Sequence, residues 1–446
     1  MATRPLVDDD LVAPAETSPA SPSLVFRTVP GPDVASLLAL LPPSPHPGEY
    51  VSWVRRGDGL VGWGAVARFT TTGAERFDAA ATWWEQVSAR AIVRDEVRVP
   101  GTGPVAFGSF AFADDSADES LLVVPEVLIG RRGDRTWLTT ASHVDGEVAA
   151  VPTTRFPAQA APPTAPPEVA FADGAQSAAQ WELAVAAAVE RIAAGQLDKV
   201  VLARDLLVRS PAPIDPRWVL ERLAERYPTT WVFTVGGLLG ATPEMLVRRD
   251  KGLVTSRVLA GTIRRTGDDA KDLALAASLA RSSKDLEEHE YAVRSVADAL
   301  APHCSSMNVP ETPSVLHLAN VMHLATDVTG HVSDPVSSLA LAASLHPSAA
   351  VCGTPTPVAA EVIADLEHMD RGRYAGPVGW TDASGDGEWG IALRCGRYDD
   401  ADAASLRLFA GCGIVAGSDP AAEVAESDSK LVPMRDALSP EPSPRR

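Results

Sequence analysis

The stretch that most constrains this chain lies near its C-terminal end, at Leu408–Lys430 (LFAGCGIVAGSDPAAEVAESDSK). A strand-like apolar run enters Gly411-Cys412-Gly413, which predicts a glycine turn, and a second apolar run follows. Ser418-Asp419-Pro420 then opens a helix. Glu423, Glu426 and Lys430 fall at i, i+3 and i+7 of that helix, within a narrow stripe at about 100° per residue. Two carboxylates and an ammonium on one stripe suit a metal and an anionic ligand. They also suit a solvated helix face, the commoner origin of a charge run. Pro433, shortly after Lys430, is expected to kink or end the helix.

The rest of the chain bounds the choice. A length of 446 residues allows a large core, in one big domain or two to three ordinary ones. With 46% hydrophobic and 22% charged residues the chain is globular. A net charge of -19 argues against nucleic acid as a partner, because phosphate binding needs a basic surface. It leaves room for an anionic small substrate, since a local site can be positive within an acidic protein. Cys304, Cys352, Cys395 and Cys412 form no CxxC pair, so they read as reduced thiols rather than a zinc knuckle or a disulfide framework. The first residues are acidic where a signal peptide is basic. The longest apolar stretch, Ser337–Cys352, is broken by His346 and Pro347. The expectation is a cytoplasmic protein with no membrane partner.

Residues 1–22 are rich in Pro, Ser, Ala and Asp and predict a disordered tail, as do residues 439–446. Residues 23–151 read as strand-rich with one helix at Asp78–Ala91; strands are expected at Val105–Phe112, Ser120–Ile129 and Arg135–Thr140. Residues 152–167 form a Pro/Ala linker. A helix from Ser177 buries Trp181, Val185, Val189 and Ile192 and ends at Gly195. Strands follow at Lys199–Val208 and Trp231–Val235, then a hairpin at Glu244–Arg249 and Leu253–Val258. Helices are expected at Asp268–Ala280, Asp285–Leu300, Ser337–Leu345 and Pro357–Met369. Further strands fall at Val321–Val328, Val378–Thr381, Gly387–Arg397 and Ser405–Ala410. No internal repeat, GxxxxGK[ST] or GxGxxG run occurs, so ATP and dinucleotides are not indicated.

Chemistry-bearing residues are scattered along this pattern. Lys199 sits among the apolar residues of DKVVLAR, where burying an ammonium costs several kcal/mol unless it is paired or neutralised. It reads either as a strand-end lysine with its head in water or as a general base of lowered pKa. Glu244 follows a turn in GATPEML. LAGTIRR breaks at Gly261, where backbone N–H groups suit a carboxylate or the glycine marks a turn. Lys284-Asp285-Leu286-Glu287-Glu288-His289 packs acids into a first helical turn, which the helix dipole alone would favour. His323 lies in an apolar strand, the usual place of a hydrogen-bonded core histidine. Arg394 in IALRC offers a planar fork on another apolar strand. Each is individually more often structural. Together they supply Glu288 and Glu426 for a hard cation, Arg394 and Lys430 for carboxylates, and a Lys/Glu base–acid pair. A small dicarboxylate with Mg2+ fits that set.

The ordered motifs DKVVLAR, GATPEML, LAGTIRR, SKDLEEHE, MHLAT, LHPSAAVCGTP, YAGPVGW, GEWGIALRC, LFAGCGIV and EVAESDSK resemble the chorismate-utilising enzymes across Ala178–Leu438. The resemblance implies an α+β fold, one large domain of two stacked antiparallel sheets flanked by helices, spanning residues 23–438. The Pro/Ala linker is then a surface crossing between a variable N-terminal half and a motif-bearing half. Lys199 stands where anthranilate synthases usually carry Gln. Ala260 stands where many aminodeoxychorismate synthases carry the lysine of a PIKGT run. LLES and PSPY runs are absent. The sequence most resembles the isochorismate synthase branch, with salicylate synthases next; Ala350 and Phe409 look like the former, while Tyr374 and Leu393 occur readily in the latter.

What the resemblance implies for the site follows. Glu288 and Glu426 would hold Mg2+, with Glu423 in an outer shell. Lys199 would activate water for attack at ring carbon 2 of chorismate, and protonated Glu244 would assist loss of the 4-hydroxyl. Tyr374, Arg394 and the backbone at Gly411 would hold the enolpyruvyl carboxylate. Gly261, Thr262 and Lys430 would lie around the ring carboxylate and metal, with His323 close by. No glutaminase subunit is expected, the family suggests a monomer, and the product would feed menaquinone or siderophore synthesis.

Overall fold

The computed structural model describes residues 23–44, 46–144, 155–317, 321–332 and 336–439; the side chains of Lys284 and Glu288 lie outside that description. So do the predicted tails, apart from Ser439, and the first residues of the linker.

Strand Asp402–Ile414 is the spine of the catalytic half. It pairs antiparallel with Lys199–Arg209 from Val200↔Ile414 to Arg209↔Ser405. Gly411, Cys412 and Gly413 therefore lie within a strand, opposite Ala203, Leu202 and Val201, and the expected glycine turn does not form. The glycine is needed for close approach instead. A Cβ at Gly411 would stand 2.8 Å from the Leu202 carbonyl oxygen and 3.1 Å from the Tyr374 hydroxyl.

Among the described residues the strands form a 13-stranded and a 10-stranded sheet. Every ladder is antiparallel except Leu24–Pro30 with Ile92–Asp95, which is parallel. In each sheet the strands of the two halves of the chain form separate runs that meet at one ladder. Tyr50–Arg55 pairs with Trp231–Val235, and Val105–Ser109 with Pro377–Asp382. Residues 23–144 thus share their sheets with the motif-bearing half. The inner faces meet over a core that includes Trp53, Phe107, Phe110, Trp389 and Phe233. The linker residues 155–167 carry no helix or strand. They lie along the surface, where the Ala160 amide donates to the Ala39 carbonyl and Arg217 donates to the Ala161 carbonyl.

The helices cover the sheets. Ala178–Ala193 starts at a Ser177/Gln180 capping box and buries Trp181, Val185 and Ile192. Helix Pro216–Arg226 was not anticipated, although Asp215 caps it and Pro216 takes its first turn. Pro420–Ala437 continues through Pro433 rather than ending there. Pro433 is buried between Leu431 and Met434, and that packing offsets the missing N–H, a loss of about 3 kcal/mol in an exposed helix. No helix among the described residues is long and apolar enough to cross a membrane.

Two of the crossings that carry the chain from one sheet to the other run side by side. At Pro243-Glu244 it leaves strand Leu238–Thr242 of the larger sheet for Met245–Asp250 of the smaller. Between Gly387–Ile391 and Cys395–Asp399 it returns. The single strand expected at Gly387–Arg397 is thus two strands in different sheets, and Arg394 sits at the break with φ of 51°. Thr242 Oγ1 donates to the Ile391 carbonyl at 2.6 Å, and the Ala241 amide donates to the Arg394 carbonyl at 3.2 Å.

Candidate active site

A cavity of about 210 Å³ opens where these crossings meet the Lys199–Arg209/Asp402–Ile414 ladder. Its wall includes Lys199, Glu244, Gly261, Thr262, His323, Tyr374, Arg394, Gly411, Glu423, Glu426 and Lys430. Of the anticipated site residues, Glu288 has a side chain outside the described residues. Its backbone belongs to helix Ser283–Leu300.

Each side chain is placed by a local feature. Lys199 opens its strand opposite Thr354 and is half-buried. Glu244 is buried at its sheet crossing, with its amide donating to Thr242 Oγ1 at 3.2 Å. Burial pushes its carboxyl up from 4.5 to about 7, against the pull of Lys199, Lys430 and Arg394. It therefore keeps a large protonated fraction near neutral pH. Gly261 has φ of 73° at a bulge between Ala260 and Thr262, and the bulge turns the strand against Leu324 and His323. Thr262 Oγ1 lies 3.0 Å from His323 Nδ1. Burial, with Arg394 and Lys430 nearby, pulls His323 down to about 3, so its ring is neutral. Among the described residues its Nε2 has no hydrogen-bond partner.

The positive groups face a negative pair on one helix. Lys430 Nζ lies 2.8 Å from Glu426 Oε1 and donates to the Gly411 carbonyl at 2.8 Å. Lys430 holds Glu426 below the usual carboxylate range. Burial opposes the charge on Lys430, but Cys412 and Glu426 outweigh it and the net shift is upward. Burial lowers Arg394, which remains a cation because guanidinium does not deprotonate in proteins. Donor atoms of Glu423, Glu426 and Cys412 all lie within 4.8 Å of one another. Burial pushes the Cys412 thiol up to about 12, so it offers no thiolate. Two carboxylates beside a neutral thiol suit a hard, oxygen-seeking divalent cation rather than zinc or copper. The charge stripe is therefore a cavity wall, with Glu423 beside Glu426.

Among the polar lining residues, Asp285, Arg371 and Ser418 were given no site role from sequence. Arg371 grips Glu367 through two hydrogen bonds, at 2.9 and 2.5 Å, and donates to the carbonyls of Val351 and Val201. Glu367 in turn accepts from the Ala203 amide at 2.7 Å. The RGR run just before YAGPVGW was the available signal, two arginines around a glycine at the end of an apolar helix. Tyr374 stacks on Phe409 with ring centroids 5.0 Å apart.

This fold and cavity are those of an enzyme. A sequence profile for the chorismate binding enzymes matches residues 19–439, and the chain belongs to that family. Relatives named isochorismate synthase are among those it is similar to. Isochorismate synthase MenF of Bacillus subtilis is 33% identical over 406 residues, covering 86% of each chain. Isochorismate synthase DhbC of the same organism is 44% identical over 260 residues, 56% of this chain and 65% of the relative. Among solved structures, the DhbC isochorismate synthase of Bacillus anthracis superposes with a TM-score of 0.71 at 31% identity, over 88% of this chain and 97% of that one. The MenF structure of Escherichia coli, at 24% identity and a TM-score of 0.75, shares the fold over 95% of this chain and 96% of that one.

Proposed function

We propose that the protein is an isochorismate synthase that converts chorismate to isochorismate. The observation that carries the reading is Glu244, a buried carboxyl with a pKa near 7 in a cavity that Lys199 also lines. An acid and a base on one wall suit a reaction that adds a hydroxyl and expels another.

In this reading Lys199 takes a proton from water while the water oxygen bonds to ring carbon 2. The two ring double bonds shift, and the bond from carbon 4 to its hydroxyl breaks. Glu244 gives its proton to the departing oxygen, so one water enters and one leaves. Solvent then returns a proton from Lys199 to Glu244. Such assistance contributes roughly 10²–10⁴-fold. Arg394, which lines the cavity with Tyr374, takes the enolpyruvyl carboxylate with a forked hydrogen bond. Lys430 and the neutral His323 Nε2 face the ring carboxylate.

Glu426 and Glu423 would hold Mg2+, and the family resemblance adds Glu288 of helix Ser283–Leu300. When bound, the ion supplies positive charge that draws electron density toward the ring carboxylate. Incubating the purified protein with chorismate and Mg2+ and resolving the products by chromatography tests the assignment. Isochorismate as the product is the expected result. Salicylate with pyruvate would reassign the protein to the salicylate-forming branch, and unchanged chorismate would end the reading.

A further inference from the structure

Strand Asp402–Ile414 goes on lining cavities beyond Gly411. Side chains two apart on a strand share a face, and Gly411, Phe409 and Arg407 form such a series. Gly411 and Phe409 line the catalytic cavity, whereas Phe409 and Arg407 line a second one of about 260 Å³. Segment 371–374 spans both in the same way. Arg371 and Tyr374 belong to both walls, and Arg373 to the second alone. The stacked rings of Tyr374 and Phe409 form the partition.

The second wall is rich in guanidinium. Arg371, Arg373, Arg397 and Arg407 line it, with Asp118 and Asp370. Most of these charges are matched. Arg371 pairs with Glu367, Arg407 with Asp205 at 2.6 Å, and Arg397 with Asp118 at 2.6 Å and Asp400 at 2.8 Å. Asp370 accepts from Ser116 Oγ and from the amides of Ala117 and Gly372. Arg373 is the exception. Its terminal nitrogens donate to the carbonyls of Val235 and Gly236, and its Nε lies 3.6 Å from an Asp118 carboxylate that Arg397 holds more closely. Arg373 is only 3% exposed, and among the described residues neither its Nε nor that of Arg397 has a hydrogen-bond partner. A buried charged donor without an acceptor is costly. An acceptor from outside the chain would relieve it.

We propose that this cavity is a binding site for a small monocarboxylate, separate from the substrate cavity and divided from it by the Tyr374–Phe409 stack. A carboxylate matches the planar edge that a guanidinium presents. Asp118 and Asp370 on the same wall offset part of its guanidinium charge, which favours a singly charged ligand over dianionic phosphate.

Calorimetric titration with sodium pyruvate, at fixed ionic strength, tests the site in the full-length protein. The wild type should bind pyruvate saturably and respond less to phosphate. Arg397→Gln, at a half-exposed position that lines the second cavity and not the first, should weaken pyruvate at least tenfold. Arg397→Lys should lose less, and Arg373→Met should lose as much as Arg397→Gln. Pyruvate affinity unchanged in Arg397→Gln would place the ligand in the catalytic cavity and overturn the proposal. An equal response to phosphate would overturn the selection for one charge.

Discussion

Replacing Glu244 by Gln removes one ionisable group from the cavity and leaves its shape nearly unchanged. Burial raises the native pKa of this carboxyl from 4.5 to about 7. A native pKa above the unfolded one means that, between those values, the folded state keeps a proton that the unfolded state has released. The resulting stability is fully present below the unfolded pKa and is lost as pH rises through the native one. A shift of this size is worth about 3 kcal/mol, of which about 2.5 kcal/mol falls between about pH 5 and about pH 8. Gln contributes no such dependence. Urea unfolding of the wild type and Glu244→Gln across that range gives two stability curves, and titrations common to both cancel in their difference. The difference should move in favour of the variant by about 2.5 kcal/mol as pH rises. Parallel curves would refute the raised pKa. Turnover supplies a second reading. The wild-type kcat should fall above about pH 7 as the acid ionises, and the variant should lack turnover throughout. A fully active Glu244→Gln would remove the group from the acid role whatever its pKa.

Lys199→Ala should lower kcat by roughly 10²–10⁴-fold while calorimetry still records chorismate binding, and wild-type turnover would discard it as the base. Glu426→Gln should weaken Mn2+ at least about tenfold in a paramagnetic resonance titration, with no substrate present; an unchanged affinity would take this carboxylate out of the metal site. Arg371→Met strands Glu367 in the core, so urea unfolding should show a loss of about 3–5 kcal/mol. A loss below about 1 kcal/mol would mean that the Glu367 carboxylate finds other partners. Gly411→Ala puts a methyl 2.8 Å from a backbone oxygen and 3.1 Å from the Tyr374 hydroxyl. The ladder must shift, at a cost of about 1–3 kcal/mol in unfolding with a raised KM for chorismate, and wild-type values for both would deny the close approach.

What could be read from sequence was local. The helix start at Ser177, the strand at Lys199–Val208 and most of the buried face of helix Ala178–Ala193 follow from signals within a few residues, and the structure keeps them. The ordered motifs carried the family and with it the two sheets. Failures came where a residue's conformation depends on a distant strand. Gly411 and Gly413 look like a turn because a local rule treats glycine as a break. In the fold they are extended, because strand Lys199–Arg209 pairs across them and Tyr374 takes the space a side chain would fill. Pro433 looks like a helix end for the same reason, until the packing of Leu431 and Met434 is known.

The sheet crossings explain why the site itself was legible only as scattered residues. From sequence Glu244 reads as the edge of a strand after a turn and Arg394 as a position within an apolar strand, so both pass as ordinary strand residues. Yet each lies where the chain leaves one sheet for the other, and there the pleat no longer decides which way a side chain points. Leaving the ladder frees Glu244 and Arg394 to turn into the gap between sheets. The strain of a left-handed arginine at φ 51° is borne by the hydrogen bonds that tie Thr242 to Ile391 and Ala241 to Arg394. The low dielectric of the same gap raises the Glu244 pKa and lowers that of Arg394. The acid and the proposed carboxylate fork are thus consequences of one topological feature, two antiparallel crossings side by side. No window of sequence contains both.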